Sequence, residues 1–320
     1  MGASGETGPV IETHGLVKRF SDVDAVAGID LRVPRGGVYG FLGPNGAGKT
    51  TTIRVLLGLL RPTRGSAEIL GEVVRPGAAV LANVGALVER PAFYPYLSAA
   101  DNLRVVGSAR GMTPAHLALR IPEALDRVGL ADAAKRKAGR FSTGMRQRLG
   151  IAAALIDRPE LVILDEPTNG LDPNGVVDVR RLISGLAADG TTIFLSSHVL
   201  PEVEQLCDRV AILQAGRIIA EGGTQAMLQQ GERLFVRFDS EADAAQAKPI
   251  VASVGPAEPA PGESGTGFLL DAPAGEGSRL IRSLAEAGIY PAELSVRRHS
   301  LEAVFIELTG DHPEPAAAQP

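Results

Sequence analysis

An α/β fold with a mostly parallel sheet is predicted for most of this 320-residue chain, with a small α+β domain after it. The main observation is that short apolar runs, typical of buried strands, alternate with segments that have apolar residues at helical spacing. A second observation is that 45% of residues are hydrophobic and 22% are charged, which is ordinary for a globular protein and excludes global disorder. The length corresponds to roughly two domains of about 150 residues.

The elements of the larger domain, residues 10–230, follow from local patterns. The apolar run 38–42 ends in a glycine-rich turn and is interpreted as a buried strand, and a helix is predicted over 49–60. A short strand pair around Gly71 is predicted at 66–74, and further strands are predicted at 84–88, 161–164, 191–195 and 210–213. The segment of about 90–158 is mainly helical, and its helices are expected to begin after the capping residues Ser98, Thr113 and Ser142.

A smaller domain is predicted over residues 232–310. Its pattern indicates strands at 234–238, 268–270 and 294–298, helices at 241–251, 279–287 and 301–308, and a loop at 255–267. Residues 1–9 are expected to be a flexible N-terminus, and the Pro- and Ala-rich tail 311–320 is expected to be disordered.

Charge and composition exclude several function classes. The formal net charge is −5, so the chain lacks the basic footprint of a nucleic-acid binder, and no nucleic-acid partner is expected. The single cysteine, Cys207, cannot form an internal disulfide. The start lacks a basic-then-apolar run, so no secretory signal is expected, and no stretch reaches the roughly 18 apolar residues of a membrane span.

The segment from Gly43 to Thr50, Gly-Pro-Asn-Gly-Ala-Gly-Lys-Thr, matches the phosphate-binding pattern G-x-x-x-x-G-K-[ST]. It lies between a predicted strand and a predicted helix, where glycines let backbone N–H groups surround an anion and the helix dipole favours negative charge. The residues assigned to nucleotide binding are Gly43, Asn45, Gly46, Gly48, Lys49, Thr50 and Thr51. Lys49 supplies charge to the outer phosphates, and the Thr50 hydroxyl is a ligand for Mg²⁺. The alternative is a glycine-rich turn that matches by chance.

Two carboxylates follow the apolar strand 161–164. Asp165 stands where a phosphate-binding loop of this kind needs an acid to hold Mg²⁺, and Glu166 beside it is suited to orient and deprotonate an attacking water. The alternative is a pair of solvated acids at a strand end.

Three further motifs carry a resemblance to a known family. Phe141-Ser-Thr-Gly-Met-Arg-Gln-Arg148 resembles the signature motif of ABC ATPases, Asn169-Gly-Leu-Asp172 is similar to their D-loop, and Ser196-Ser-His198 is similar to their switch histidine. Five motifs in this order cover about residues 10–230, so the chain is identified as similar to the nucleotide-binding subunit of an ABC transporter. The resemblance implies a P-loop NTPase fold with a helical subdomain, with ATP and Mg²⁺ as cofactors.

The same resemblance implies roles for residues outside the phosphate loop. Two such domains pair head to tail, so that Ser142, Gly144 and Met145 of one subunit contact the ATP of the other. Asp172 of the D-loop is also assigned to nucleotide binding. Phe20 stands where the family has an aromatic residue that stacks on adenine, and His198 where it has a contact to the γ-phosphate; Lys49, Glu166 and His198 are therefore the implied catalytic residues. The open alternatives are core packing for Phe20, an ordinary helix cap for Ser142 and a structural role for His198.

Two positions depart from the family pattern. Glu89 stands in place of the Q-loop glutamine; a glutamate still ligates Mg²⁺ but adds negative charge, and bacitracin- and lantibiotic-immunity members look similar here. Met145 replaces the last glutamine of the signature and removes an amide. Residues 232–310 resemble the small C-terminal domain of drug-export ATPases of the daunorubicin-resistance type, for which a dimer-stabilising or regulatory role is expected.

The resemblance therefore implies an ATPase that powers an exporter of drugs, antibiotics or peptides. Its expected partners are an integral membrane permease and a second ATP-binding subunit, giving a homodimer at the cytoplasmic face of the cell membrane. Two alternatives stay open: a soluble ABC ATPase that acts on ribosomes or nucleic acid, and a non-hydrolysing regulatory subunit. No residue identifies the cargo.

Overall fold

The computed structural model describes residues 8–89, 91–229, 233–260, 266–297 and 300–309, and the chain divides into two compact units between Gly222 and Gly223. Apart from residues 8 and 9, the predicted flexible N-terminus lies outside the described residues, and so does the predicted tail 311–320. Among the described residues, no helix combines the length and the apolar character that a membrane crossing needs.

The larger unit consists of strands and helices that alternate after an initial pair of strands. Its strands are β1 (Ile11–Phe20), β2 (Val23–Val33), β3 (Val38–Leu42), β4 (Arg64–Ile69), β5 (Glu72–Val73), β6 (Val84–Leu87), β7 (Leu161–Asp165), β8 (Thr192–Ser197), β9 (Arg209–Gln214) and β10 (Arg217–Gly223). Its helices are α1 (Lys49–Leu56), α2 (Ala99–Ala109), α3 (Pro114–Arg127), α4 (Thr143–Leu155), α5 (Pro173–Ala188) and α6 (Leu200–Leu206).

The predicted parallel sheet is confirmed as a six-stranded sheet with the order β10-β9-β3-β8-β7-β6. The pairs β9–β3, β3–β8, β8–β7 and β7–β6 are all parallel. The loops after β3, β7 and β8 therefore meet at one edge of the sheet, where ligands of open α/β sheets bind. A second sheet is antiparallel and has the order β2-β1-β4-β5. Its strands β4 and β5 confirm the strand pair predicted over 66–74, whereas β1 and β2 were not predicted.

Aromatic packing anchors the core of the larger unit beside the parallel sheet. The rings of Tyr39 and Phe194 are stacked at 5.9 Å, and Phe41 lies 5.3 Å from Phe194. The run 161–164 of β7 is completely buried, which explains why this strand is apolar without alternation.

The predicted helix caps are confirmed. The side chains of Ser98, Thr113 and Ser142 accept backbone N–H bonds at the starts of α2, α3 and α4, at 3.0, 3.3 and 3.2 Å. The prediction for α1 was wrong at its end, because the helix stops at Leu56 and not at residue 60. Gly58 adopts a left-handed conformation with φ +66°, which ends the helical hydrogen bonding there.

The smaller unit is an antiparallel sheet packed against helices. Its strands are β11 (Arg233–Arg237), β12 (Ala257–Pro259), β13 (Gly267–Leu270) and β14 (Glu293–Arg297), in the order β12-β13-β11-β14. Its helices are α7 (Thr224–Gln229), α8 (Glu241–Val254), α9 (Gly277–Glu286) and α10 (Leu301–Thr309). Apolar side chains of β11, α8 and α9 form one core.

One prediction for the smaller unit was wrong. The Pro and Gly content of 255–267 predicts a loop, but β12 lies within this segment and pairs with β13, with Pro259 opposite Phe268. Residues 261–265 of the predicted loop lie outside the described residues. Proline is tolerated there because β12 is an edge strand. Residue 298 of the predicted strand 294–298 lies outside the described residues.

Candidate functional site

The phosphate-loop motif connects β3 to α1 at the carboxyl edge of the parallel sheet. Two of its glycines are required by close packing: a Cβ on Gly43 would lie 2.5 Å from the carbonyl oxygen of Leu213, and a Cβ on Gly48 would lie 2.3 Å from that of Ala25. Asn45 and Gly46 form the exposed turn of the loop. Gly48 also caps α1 without a side chain, so no side-chain oxygen occupies the first N–H groups of that helix.

Lys49, the first residue of α1, is only 5% exposed, and its ammonium group points back into the loop. Its Nζ donates to the carbonyl oxygens of Gly43 at 2.7 Å and Pro44 at 3.2 Å. Thr50 and Thr51 follow on the helix and are half-buried. A buried cation is thus held beside the helix N-terminus, which is an arrangement that attracts an anion.

Asp165 ends β7 and is 4% exposed. In the parallel register it lies opposite Ser196 of β8, and the Ser196 hydroxyl donates to Oδ1 of Asp165 at 2.5 Å. The same hydroxyl accepts from the backbone N–H of Glu166 at 3.1 Å. Sequence reasoning missed this role of Ser196; its position at the end of the neighbouring strand was the available signal.

Glu166 connects two of the predicted catalytic residues. Its Oε1 lies 3.2 Å from Nζ of Lys49, and its Oε2 lies 2.5 Å from Nδ1 of His198. The backbone of Glu166 is left-handed, with φ +50°, an uncommon conformation for a residue other than glycine. The turn after β7 therefore directs this carboxylate into a position between a lysine and a histidine.

This pairing shifts both titration equilibria. Burial raises the pKa of Glu166, but the hydrogen bond with His198 and the charge of Lys49 outweigh it and leave the pKa below its ordinary value. The hydrogen bond with Glu166 raises the pKa of His198 despite opposing burial. The site therefore favours an ionised carboxylate beside a protonated imidazole.

Residues predicted to contact a second subunit lie at helix starts. Ser142 caps α4, where Gly144 and Met145 form the first turn, and Asp172 caps α5 by accepting from the N–H of Gly175 at 2.9 Å. Ser142 and Asp172 are exposed, and a Cβ on Gly144 would meet no atom within 4 Å. The guanidinium of Arg136 lies 4.0 Å from the sulfur of Met145, the residue that replaces the last glutamine of the signature motif.

Phe20 ends β1 and is 46% exposed, so its ring is not part of the core. The Nζ of Lys18 lies 5.0 Å from the ring centroid, within the range of a cation–π contact. The ring thus has an accessible face at the end of a strand.

Among the described residues, no contact joins Glu89 to Lys49, Glu166 or His198. It lies after β6, is 61% exposed and forms an ion pair with Arg54 of α1. Its backbone is left-handed, with φ +60°. Sequence reasoning missed Arg54, and no local pattern pointed to it.

Comparison with known proteins identifies relatives of this chain. The model of the family described as "ABC transporter" matches residues 26–169. The chain is 39% identical over 308 residues to the daunorubicin resistance ATP-binding protein DrrA3 of Streptomyces coeruleorubidus, covering 94% of this chain and 96% of that protein. It is 48% identical over 214 residues to the bacitracin transport ATP-binding protein BcrA of Bacillus licheniformis, covering 66% and 69%.

A solved structure shares the fold. It is cbiO1 from Clostridium perfringens, part of the ABC transporter complex cbiONQ, with a TM-score of 0.63 and 26% identity. The similarity covers 69% of this chain and 90% of that chain.

Proposed function

The chain belongs to the ATP-hydrolysing, ATP-binding subunits of ABC transporters, and on that premise we propose that it powers a drug, antibiotic or peptide exporter through a separate membrane permease. The observation that carries the catalytic part of the proposal is the position of Glu166 between Lys49 and His198, next to the phosphate loop. The exporter assignment rests on similarity to a daunorubicin resistance protein along 94% of the chain.

The residues around the phosphate loop fit ATP and a divalent cation. The loop from Gly43 to Thr50 leads into α1, whose first N–H groups have no side-chain cap and would bind phosphate oxygens, and buried Lys49 provides the charge for the outer phosphates. Asp165 offers a buried carboxylate at the strand end, and Thr50 a hydroxyl on α1. Thr50 and Asp165 would hold Mg²⁺, which when bound neutralises phosphate charge. A part for Glu89 requires that its ion pair with Arg54 opens.

Glu166 is the residue that would activate water for attack on the γ-phosphorus. The carboxylate orients the water and takes its proton while the bond from phosphorus to the leaving oxygen of ADP breaks. Lys49 pairs with Glu166, and the phosphates of ATP would compete for the same ammonium group. ATP binding therefore weakens an interaction that lowers the pKa of Glu166, which makes the carboxylate a better base.

His198 would hold Glu166 through Nδ1 and leave its other ring nitrogen for the γ-phosphate. A protonated imidazole donates from both nitrogens, so the raised pKa of His198 supports this double contact. Positioning and charge stabilisation are the main sources of catalysis in phosphoryl transfer.

A second ATP-binding subunit would complete the site. At the starts of α4 and α5, Ser142 and Asp172 are exposed and Gly144 faces open space, as a contact with a partner's nucleotide requires. The Ser142 hydroxyl accepts from its own helix and keeps its proton for an outside acceptor. A homodimer at the cytoplasmic face of the membrane, with Phe20 stacked on adenine, is the assembly that we propose. The smaller unit would stabilise or regulate the pair.

Purification of the tagged chain from detergent-solubilised membranes of its native host tests the coupling to a permease. We expect a polytopic membrane protein in stoichiometric amount, and ATP hydrolysis by that complex that the Glu166→Gln variant lacks. Recovery of ribosomes or nucleic acid would contradict the transporter assignment and favour a soluble ATPase. A complex in which this chain binds ATP without hydrolysing it would instead favour a regulatory subunit.

A further inference from the structure

A cluster of metal-ligating side chains lies on the antiparallel sheet of the larger unit, outside the nucleotide site. It consists of Glu12 and His14 on β1 and Glu68 on β4, and one ligand atom from each residue lies within 4.8 Å of the other two. We propose that these residues form a binding site for Zn²⁺, held by one imidazole nitrogen and two carboxylate oxygens with water in the fourth position.

Strand geometry places the three side chains on one face. Ile11 and Thr13 are buried, so the alternating residues Glu12 and His14 point to the opposite, outer face of β1. Glu12 is directly opposite Glu68 in the antiparallel register. The backbone that carries the ligands therefore belongs to two hydrogen-bonded strands, and it needs no rearrangement to bring them together.

The distances are suitable for a metal of this size. With metal–ligand bonds of about 2.1 Å, two ligands of a tetrahedral ion are about 3.4 Å apart. A separation of at most 4.8 Å closes to this value by rotation at the ends of the glutamate side chains. Glu12 and Glu68 are half-buried and His14 is exposed, which leaves an open side for entry and for water.

Charge supports a cation at this position. Two glutamates directly opposite each other on a sheet repel and destabilise the pair. Within the described ranges, the ion pair given for these glutamates is the one between Glu12 and Arg32, at 4.0 Å, and Arg32 is largely exposed. The single imidazole favours Zn²⁺ over Ca²⁺ and Mg²⁺, which prefer oxygen ligands alone. A bound ion would cross-link β1 to β4.

Calorimetric titration of the metal-free, nucleotide-free full chain with Zn²⁺ tests the site. We expect one equivalent to bind and to raise the unfolding temperature. His14→Gln and the double variant Glu12→Gln/Glu68→Gln are expected to weaken this binding at least about tenfold, since even outer ligand partners contribute that much. Glu72→Gln, an exposed acid on β5, is the matched control and should bind as the parent does.

The double variant Glu166→Gln/His198→Gln tests whether Zn²⁺ binds at the nucleotide site instead. This variant should still bind one equivalent of Zn²⁺. The proposal is overturned if the parent chain binds no Zn²⁺, if the cluster variants bind as tightly as the parent, or if only the nucleotide-site variant loses binding. Unfolding temperatures without metal show whether each variant is folded. Arg32→Gln removes the competing cation and should bind at least as tightly as the parent.

Discussion

The Oε2 atom of Glu166 lies 2.5 Å from Nδ1 of His198, across the ends of two adjacent parallel strands. The two residues are 32 positions apart in the chain, and the pairing of β7 with β8 brings them together. Glu166 raises the pKa of His198, and His198 lowers the pKa of Glu166. Both shifts favour an ion pair. Glu166, the candidate base, and His198, the candidate phosphate contact, are therefore coupled. A substitution at either residue should change the pKa and the position of the other.

The stability of the nucleotide-free chain should depend on pH through this pair. The pKa of His198 is raised in the folded state. Its contribution to folding stability is therefore fully present below the unfolded histidine pKa of about 6.5 and is lost as pH rises through the higher folded pKa. The pKa of Glu166 is lowered in the folded state. Its contribution to folding stability is therefore present above the unfolded carboxyl pKa of about 4.3 and is lost as pH falls through the lower folded pKa.

Thermal unfolding of the parent and of His198→Gln measures this dependence. The difference in unfolding temperature should be larger near pH 6 than near pH 9, because the stabilisation decreases as pH rises above the unfolded histidine value and through the raised folded pKa of His198. A His198→Gln effect that is equal at both pH values would contradict the ion pair.

Local sequence predicted the features that depend on neighbouring residues. The caps at Ser98, Thr113 and Ser142 and the loop from Gly43 to Thr50 lie where the patterns indicated, because their hydrogen bonds connect residues close in the chain. The antiparallel strands β1 and β2 were missed. Register shifts interrupt their pairing, and Gly15 and Gly28 break the alternation that marks a strand.

Long-range contacts could not be predicted from local patterns. The motifs named Lys49, Glu166 and His198 separately, but their contacts depend on the order of β3, β7 and β8 in the sheet. The ion pair of Glu89 with Arg54 joins two surface side chains that no periodicity relates.

Lys49→Ala should weaken nucleotide binding about tenfold or more. A hydrogen bond to a charged group contributes about 1.5–3 kcal/mol, and about 1.4 kcal/mol corresponds to a factor of ten. Fluorescent nucleotide titration gives the dissociation constant, with exposed Lys135→Ala as the control for loss of one positive charge. Equal affinities for the two variants would exclude the proposed phosphate contact.

The ion pair of Arg54 with Glu89 should limit the cost of the negative charge that Glu89 adds at the proposed Q-loop position. Arg54→Gln is expected to raise KM for Mg-ATP by no more than about fivefold, since exposed pairs contribute about 0–1 kcal/mol. In the Glu89→Gln background the same change should have no effect. A full effect in both backgrounds would mean that Arg54 acts independently of Glu89.

Ser142 can be separated into a helix cap and a contact to a partner's ATP. Ser142→Ala should destabilise the chain by about 1 kcal/mol through loss of the cap. Ser142→Asp keeps the cap but directs negative charge towards the γ-phosphate, so it should retain stability and lose ATP hydrolysis. Chemical unfolding measures the cap, and ATPase assays measure the contact to the partner's ATP. Hydrolysis at the parental rate by Ser142→Asp would contradict the contact and leave Ser142 with its role as a helix cap only.

The central claim is that Glu166 is the base in ATP hydrolysis. Its most direct test is steady-state phosphate release at saturating Mg-ATP by the parent, by Glu166→Gln and by Asp178→Asn, an exposed acid on α5. We predict that Glu166→Gln binds ATP but hydrolyses it about 100-fold or more slowly, as loss of a general base does, while Asp178→Asn hydrolyses at the parental rate. Parental hydrolysis by Glu166→Gln would contradict the account.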